Sequence, residues 1–262
     1  MPRVLVTGGT GVLGRELVPR LGAAGHTVRV MSRRAGESNI AGDVEWAQAD
    51  LLSGAGLEQA LAGVDTVVHC ASSPFRDTRA VDVEGTRMLI GKGRAAGVGN
   101  LYYVSIVGIE KVNYPYYAHK LEAEKVIQSS GAPYTILRAT QFHPLLDTFL
   151  GTLYKRGPLL IVPGAMQFQL IDPGEVADHV VASLAKGPSG RLPDIGGPHV
   201  QRVSEIAKDW LKASKKRLIK IPVPAGGPLS GFAKGYNCCP ENKIGTITWR
   251  EWLAKRYPGV RW

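Results

Sequence analysis

The sequence predicts a doubly wound α/β fold, in which a parallel sheet carries helices on both faces. Three observations predict it. Short apolar runs alternate with helix-length segments from the first residues to about residue 140. A glycine-rich turn, Thr7-Gly8-Gly9-Thr10-Gly11-Val12-Leu13-Gly14, joins the first apolar run to the first amphipathic segment. Over 262 residues, 44% are hydrophobic and 21% charged, enough apolar chain to bury a core without metal or disulfide staples.

The strands are expected at residues 3–7, 27–31, 44–48, 66–69, 101–105 and 134–137. Several are rich in Val, Ile or Tyr and bounded by Gly, Asp or Pro. Helices are expected between them, at 12–24, 54–62, 78–96, 116–130 and 142–155. Alternation of this kind means parallel strands joined by right-handed crossovers. Beyond residue 140 the rhythm loosens and Pro–Gly pairs punctuate shorter pieces. There we expect helices at 174–185, 203–213 and 248–256, and strands near 191–195 and 218–223. The chain therefore reads as one domain. Its core is residues 1–140 with parts of 165–200, and a substrate lobe from about 141 to 262 wraps over the ligand side of the sheet.

Composition excludes several classes. No apolar run reaches the ~18 residues of a membrane span, so no membrane partner is expected. Met1-Pro2-Arg3 runs straight into Val4-Leu5-Val6 without the pattern of a signal peptide. Three cysteines, Cys70, Cys238 and Cys239, form no disulfide framework and no metal-ligand spacing. A reducing, cytoplasmic setting follows as the expectation. The net charge is +10, and residues 201–262 hold 13 basic against 4 acidic side chains. Such a basic segment attracts anions, or simply solvates the surface. Its run Lys212 to Arg217 has no interleaved aromatics on which bases could stack, which argues against a nucleic-acid partner.

The turn Thr7 to Gly14 carries the most chemistry. Gly9, Gly11 and Gly14 satisfy G-x-G-x-x-G, and Gly8, Gly11 and Gly14 the wider G-x-x-G-x-x-G. One glycine permits the tight turn, one lets backbone approach a pyrophosphate, and one lets helix pack on strand. The helix N-terminus then aims free N–H groups and a partial positive charge at the phosphates. A dinucleotide cofactor is the expectation, on a Rossmann-type sheet. The second strand selects which one. NAD-binding folds place an acid there for the ribose 2′-hydroxyl, whereas this chain reads Met31-Ser32-Arg33-Arg34, with no acid until Glu37. Arginine forks match a phosphate, so NADP(H) is preferred over NAD(H). Asp50 and Leu51 follow the third strand, where the aspartate either accepts from the adenine amine or caps a turn. Cys70, Ala71 and Ser72 follow the fourth strand, where small residues admit a cofactor. His69 before them reads as structural.

The catalytic candidates are Ser105, Tyr116 and Lys120. Tyr116 and Lys120 are four apart and share a helix face. Lysine beside a phenol should lower its pKa and still leave it a usable donor to a carbonyl under reduction. Ser105, ending a strand, can hydrogen-bond the same oxygen. Hydride would come from the nicotinamide. The alternative for the pair is a surface tyrosine and lysine on an amphipathic helix.

These motifs together resemble the extended and atypical short-chain dehydrogenase/reductases. The stretch Tyr116 to Gln141 is similar to their NmrA-like branch, through Lys120-Leu121-Glu122-Ala123-Glu124 and Thr135-Ile136-Leu137-Arg138-Ala139-Thr140. The likeness covers about residues 3–200. It implies a Rossmann core, a C-terminal substrate lobe and a Ser-Tyr-Lys site acting on a small-molecule substrate, with Lys120 also holding the cofactor ribose. One departure stands out. Extended members often carry N-x-x-G-T in the fourth helix, and this chain has Asp82-Val83-Glu84-Gly85-Thr86. The relay that the asparagine supports is thereby altered. Three functions compete: an NADPH-dependent reductase of a carbonyl or activated alkene, a non-catalytic NADP(H)-sensing regulator, and a nucleotide-sugar epimerase. Phe142, His143, Leu145, Phe149, Met166, Phe168 and Phe232 either line a substrate pocket or belong to the core.

Overall fold

The computed structural model describes residues 1–34, 43–74, 77–154, 159–216, 219–222, 226–260 and 262, the side chains at 153–154, 159–162 and 219–222 aside. The chain runs through β1 (Arg3–Thr7), α1 (Val12–Ala23), β2 (Thr27–Ser32), β3 (Glu45–Gln48), α2 (Leu57–Leu61) and β4 (Thr66–His69). A π-helical turn (Ala80–Glu84) leads into α3 (Gly85–Ala95). Next come β5 (Asn100–Ile106), α4 (Pro115–Ser129), β6 (Tyr134–Ala139), α5 (His143–Tyr154), β7 (Leu159–Val162) and β8 (Gln167–Gln169). The rest is α6 (Pro173–Leu184), β9 (Gly190–Arg191), β10 (Val200–Arg202), α7 (Val203–Ala213), β11 (Ile219–Pro222), α8 (Ser230–Ala233) and α9 (Trp249–Arg256).

The chain divides into two compact units. The first comprises Met1–Ser105, Pro115–Arg138 and Val176–Pro193. Its parallel sheet has the order β3-β2-β1-β4-β5-β6-β9. The apolar strand Val4-Leu5-Val6 lies at its centre, fully buried on both faces, as a parallel strand covered by helices must be. β1 is in register with β2 on one side (Val4↔Val28) and with β4 on the other (Thr7↔His69). Strand order therefore reverses at β1, and the carboxyl ends of β1 and β4 open the crevice where such sheets take ligands. Leu57, Leu61, Tyr103 and Ile127 belong to the core on one face. Arg138 on β6 forks onto buried Glu124 of α4, at 2.8 and 2.6 Å, and ties helix to sheet.

Three elements differ from expectation for local reasons. α2 begins at Leu57 because Gly54 and Gly56 are left-handed (φ +75° and +74°), which no helix interior permits. The helix expected at 78–96 opens with a π-helical turn. There the Thr86 hydroxyl donates to the Asp82 carbonyl at 2.6 Å. The strand expected at 191–195 is short, and Ile195 makes only an isolated bridge to Ala139.

The second unit comprises Ile106–Tyr114, Ala139–Glu175 and Asp194–Trp262. It holds two small sheets, antiparallel β8–β10 and parallel β7–β11. Of these strands only residues 218–223 were anticipated. Strands of three or four residues have too little alternation to read and exist through their partners. Trp210 of α7 is fully buried, its indole N–H donating to Asp147 of α5 at 2.7 Å, and the Tyr257 hydroxyl donates to the same oxygen at 2.6 Å. His143 stacks on Trp249 and Trp252 with ring centres 5.7 and 5.8 Å away. Met166, Phe168 and Phe232 are buried in this core, whereas Phe149 is exposed. Among the described residues no helix is long and apolar enough to cross a membrane.

Candidate active site

The site grows from the end of β1. Gly8 is left-handed (φ +68°), and a Cβ there would meet the Ala71 nitrogen at 2.7 Å. A Cβ on Gly14 would run into the Gly8 carbonyl oxygen and the Gly9 backbone. The turn is thus a cradle of bare backbone. It is closed by the Gly11 N–H donating to Gly8 O at 2.9 Å. Gly11 is the N-cap of α1, no side chain caps the helix, and its first turn holds no acid. An uncapped, acid-free helix start suits a pyrophosphate. Thr10, Gly11 and Val12 are exposed, whereas Leu13 is buried under the helix.

Around the crevice the other expected residues take distinct positions. Ser32 is half-buried, and Arg33 and Arg34 are exposed. Among the described residues neither guanidinium pairs with a carboxylate; the position of Glu37 lies outside them. Asp50 Oδ1 accepts from the Leu52 N–H at 2.8 Å, the turn-capping alternative of its two readings. The Leu51 side chain is in the core, 6% exposed. Cys70 is buried enough that its thiol is pushed up to about 12, which removes thiolate chemistry.

His69 is the hidden pin of this region. Thr86 Oγ1 gives its hydrogen to the Asp82 carbonyl, so it accepts from His69 Nε2–H at 2.9 Å. Nδ1 then accepts from the Thr7 hydroxyl at 2.6 Å, and Thr7 Oγ1 accepts from the Ala71 N–H at 3.3 Å. One neutral imidazole fastens β1 and β4 to α3. Burial, with Lys120 nearby, pushes its pKa down to about 3, and burial alone does the same to His143. Both rings stay neutral in the fold but would accept protons when unfolded. Stability should therefore be complete above pH 6.5 and be lost as pH falls towards 3. The slope should approach about 1.4 kcal/mol per pH unit for each histidine. Denaturant midpoints of the protein and a His143→Phe variant test this. Their difference should change across that window, and a constant difference would refute it.

The catalytic candidates all lie in the first unit. Lys120 is 3% exposed; its Nζ donates to Val104 O at 3.1 Å, sits 4.1 Å over the Tyr103 ring, and stands 3.8 Å from Asp82 Oδ1. Ser105, next to Val104, is buried, and among the described residues its hydroxyl has no partner. A buried orphan hydroxyl costs free energy unless something else binds it. Tyr116 is half-buried, and its hydroxyl bonds Ser72 Oγ at 2.7 Å. The expectation that Lys120 lowers the Tyr116 pKa is corrected here. Burial first, and the Asp82 carboxylate second, push the phenol well above its ordinary value. The lysine's charge is directed to Asp82 and the Val104 carbonyl. Asp82 and Ser72 are site residues whose connection the linear sequence did not reveal. The sequence had marked each singly, Ser72 beside the cofactor and Asp82 in place of the motif's asparagine, but not their contact.

Glycine cradle, uncapped helix and switch point define a dinucleotide-binding protein. The chain belongs to the NAD(P)H-binding family, whose profile matches residues 8–157. It is 31% identical to the (4-alkanoyl-5-oxo-2,5-dihydrofuran-3-yl)methyl phosphate reductase of Streptomyces griseus, over 74% of this chain and 68% of that one. It is 27% identical to the photosystem II assembly factor Ycf39 of Trieres chinensis, over 84% of this chain and 72% of that one. The NADPH complex of the quinone oxidoreductase QOR2 of Escherichia coli has the same fold. Its TM-score is 0.79 at 20% identity, covering 97% of this chain and 99% of that one.

Proposed function

We propose that the protein is an NADPH-dependent reductase of a carbonyl or activated alkene, with Ser105, Tyr116 and Lys120 as its working side chains. The observation that supports this reading is the hydrogen-bonded chain from the Tyr116 hydroxyl through Ser72 to Asp82, with Lys120 3.8 Å from that carboxylate; burial and Asp82 also favour the neutral phenol. A neutral phenol is the form that can give a proton to a reduced oxygen or carbon. NADPH would lie with its pyrophosphate on Gly8 to Gly14 and its ribose near Lys120, and when bound it supplies the hydride. Ser105 would spend its free hydroxyl on the substrate oxygen. Ala71 and Ser72, and the backbone at Asp50 and Leu51, would border the cofactor. His143, whose ring packs against Trp249 and Trp252, belongs to the core of the second unit. The test is NADPH oxidation with benzoquinone, simple aldehydes and an alkanoyl butenolide phosphate, the last because the Streptomyces relative is named for it. No oxidation across that set refutes the reading.

NADPH is favoured over NADH because Arg33 and Arg34 are exposed after β2, where no described acid would hold a 2′-hydroxyl. A charge-assisted hydrogen bond is worth about 1.5–3 kcal/mol. Replacing both arginines by alanine should raise the NADPH dissociation constant roughly 10–100-fold and leave NADH unchanged. Equal losses for the two cofactors would refute the preference.

A second reading is supported by the likeness to an assembly factor. In it the protein binds NADP(H) without chemistry and presents a surface to a partner. It predicts cofactor-dependent capture of that partner and no acceptor reduced.

A further inference from the structure

Tyr116, Ser72, Asp82 and Lys120 form one continuous chain of polar contacts. Ser72 Oγ has a single hydrogen and donates it to Asp82 Oδ1 at 2.6 Å. The Tyr116 hydroxyl therefore donates to Ser72 Oγ, at 2.7 Å. Asp82 Oδ2 accepts from the Ser73 N–H at 3.1 Å, and Lys120 Nζ approaches Oδ1 at 3.8 Å. Asp82 is fully buried, and its backbone carbonyl is held by Thr86. It lies in the π-helical turn, a distortion that recurs at functional sites. A buried carboxylate costs free energy unless it is paired, and this one is paired with the lysine and linked to the tyrosine by a hydroxyl.

We propose that Ser72 and Asp82 form a proton-supply arm, which returns a proton from the Lys120 ammonium to Tyr116 after each turnover. The proposal rests on Tyr116 being the proton donor. The transfers balance without any change in electrons. The phenolate oxygen takes the Ser72 hydrogen as Ser72 Oγ takes one from the Asp82 carboxyl. The carboxyl has taken its own from Lys120, which is left neutral and regains a proton from water. Burial lowers the lysine pKa, which eases that release. Ser72 and Asp82 touch no substrate and act through Tyr116 as positioning residues.

Two measurements test the arm. The first needs no cofactor: tyrosinate absorbance is titrated as the difference between each protein and its Tyr116→Phe counterpart. Asp82→Asn should ionise Tyr116 at least about one pH unit lower, roughly tenfold in acid constant. Ser72→Ala, which leaves the Asp82–Lys120 pair in place, should shift the ionisation upward and is decisive if Asp82→Asn does not fold. An unmoved titration overturns the proposal. The second is rapid mixing with NADPH and benzoquinone. Ser72→Ala should run its later turnovers roughly tenfold or more slower than its own first turnover, a gap that the parent lacks and that Ser72→Thr should close. A parent-like steady state, or an equally slowed first turnover, overturns the arm. If the parent itself oxidises no NADPH with benzoquinone, the reductase reading loses that support, and the titration alone decides the arm.

Discussion

Tyr116→Phe should lower kcat by about 10²–10⁴-fold and leave the NADPH dissociation constant unchanged. The variant keeps the ring and its edge contact with Tyr117, whose centre is 6.3 Å away, so packing should survive. What it loses is one hydroxyl, held protonated by burial and by Asp82. Because that phenol sits above the usual tyrosine range, reductive turnover should show no tyrosine-driven fall at mildly alkaline pH. The reverse reaction needs the phenolate and should be slow there. A stopped-flow record of NADPH oxidation across pH checks both points. Undiminished turnover in Tyr116→Phe would remove the tyrosine from the mechanism.

Gly14→Ala should abolish cofactor binding and destabilise the fold. The added methyl would point at the Gly8 carbonyl and come within 2.6 Å of the Gly9 carbonyl carbon, so backbone has to move. Overpacking of this kind costs typically about 1–3 kcal/mol. The displaced turn can no longer cradle a pyrophosphate. We expect no measurable NADPH binding by fluorescence, with a lowered denaturant midpoint. Gly22→Ala is the control: a Cβ there meets nothing within 4 Å, and alanine favours the helix of which Gly22 is part. NADPH affinity preserved in Gly14→Ala would mean that the cradle is not the phosphate site.

Much of the first unit was legible in the residues. β1 buries Val4, Leu5 and Val6, β4 buries Val67 and Val68, and α4 begins within one residue of the expected place. Periodicity reports burial, and burial decides these elements. The second unit was less legible. β8 pairs with β10 through three residues each, Phe168 opposite Gln201, and neither segment carries a pattern of its own. The α2 start was missed because a left-handed Gly56 overrides the helical preference around it.

By itself the sequence determined the phosphate turn, the parallel order of its strands and the residue types of the candidate site. Those depend on local geometry: glycines where backbone must pass, and side chains four apart on one helix. Only the tertiary structure decided how the site is wired. It turned Lys120 towards Asp82, tied Tyr116 to that carboxylate through Ser72, and so reversed the expected shift of the phenol. The electrostatics of a group depend on which charges surround it and how much water is excluded. Residues 72, 82, 116 and 120 lie in two successive crossovers, β4 to β5 and β5 to β6, and acquire common surroundings only when these pack side by side.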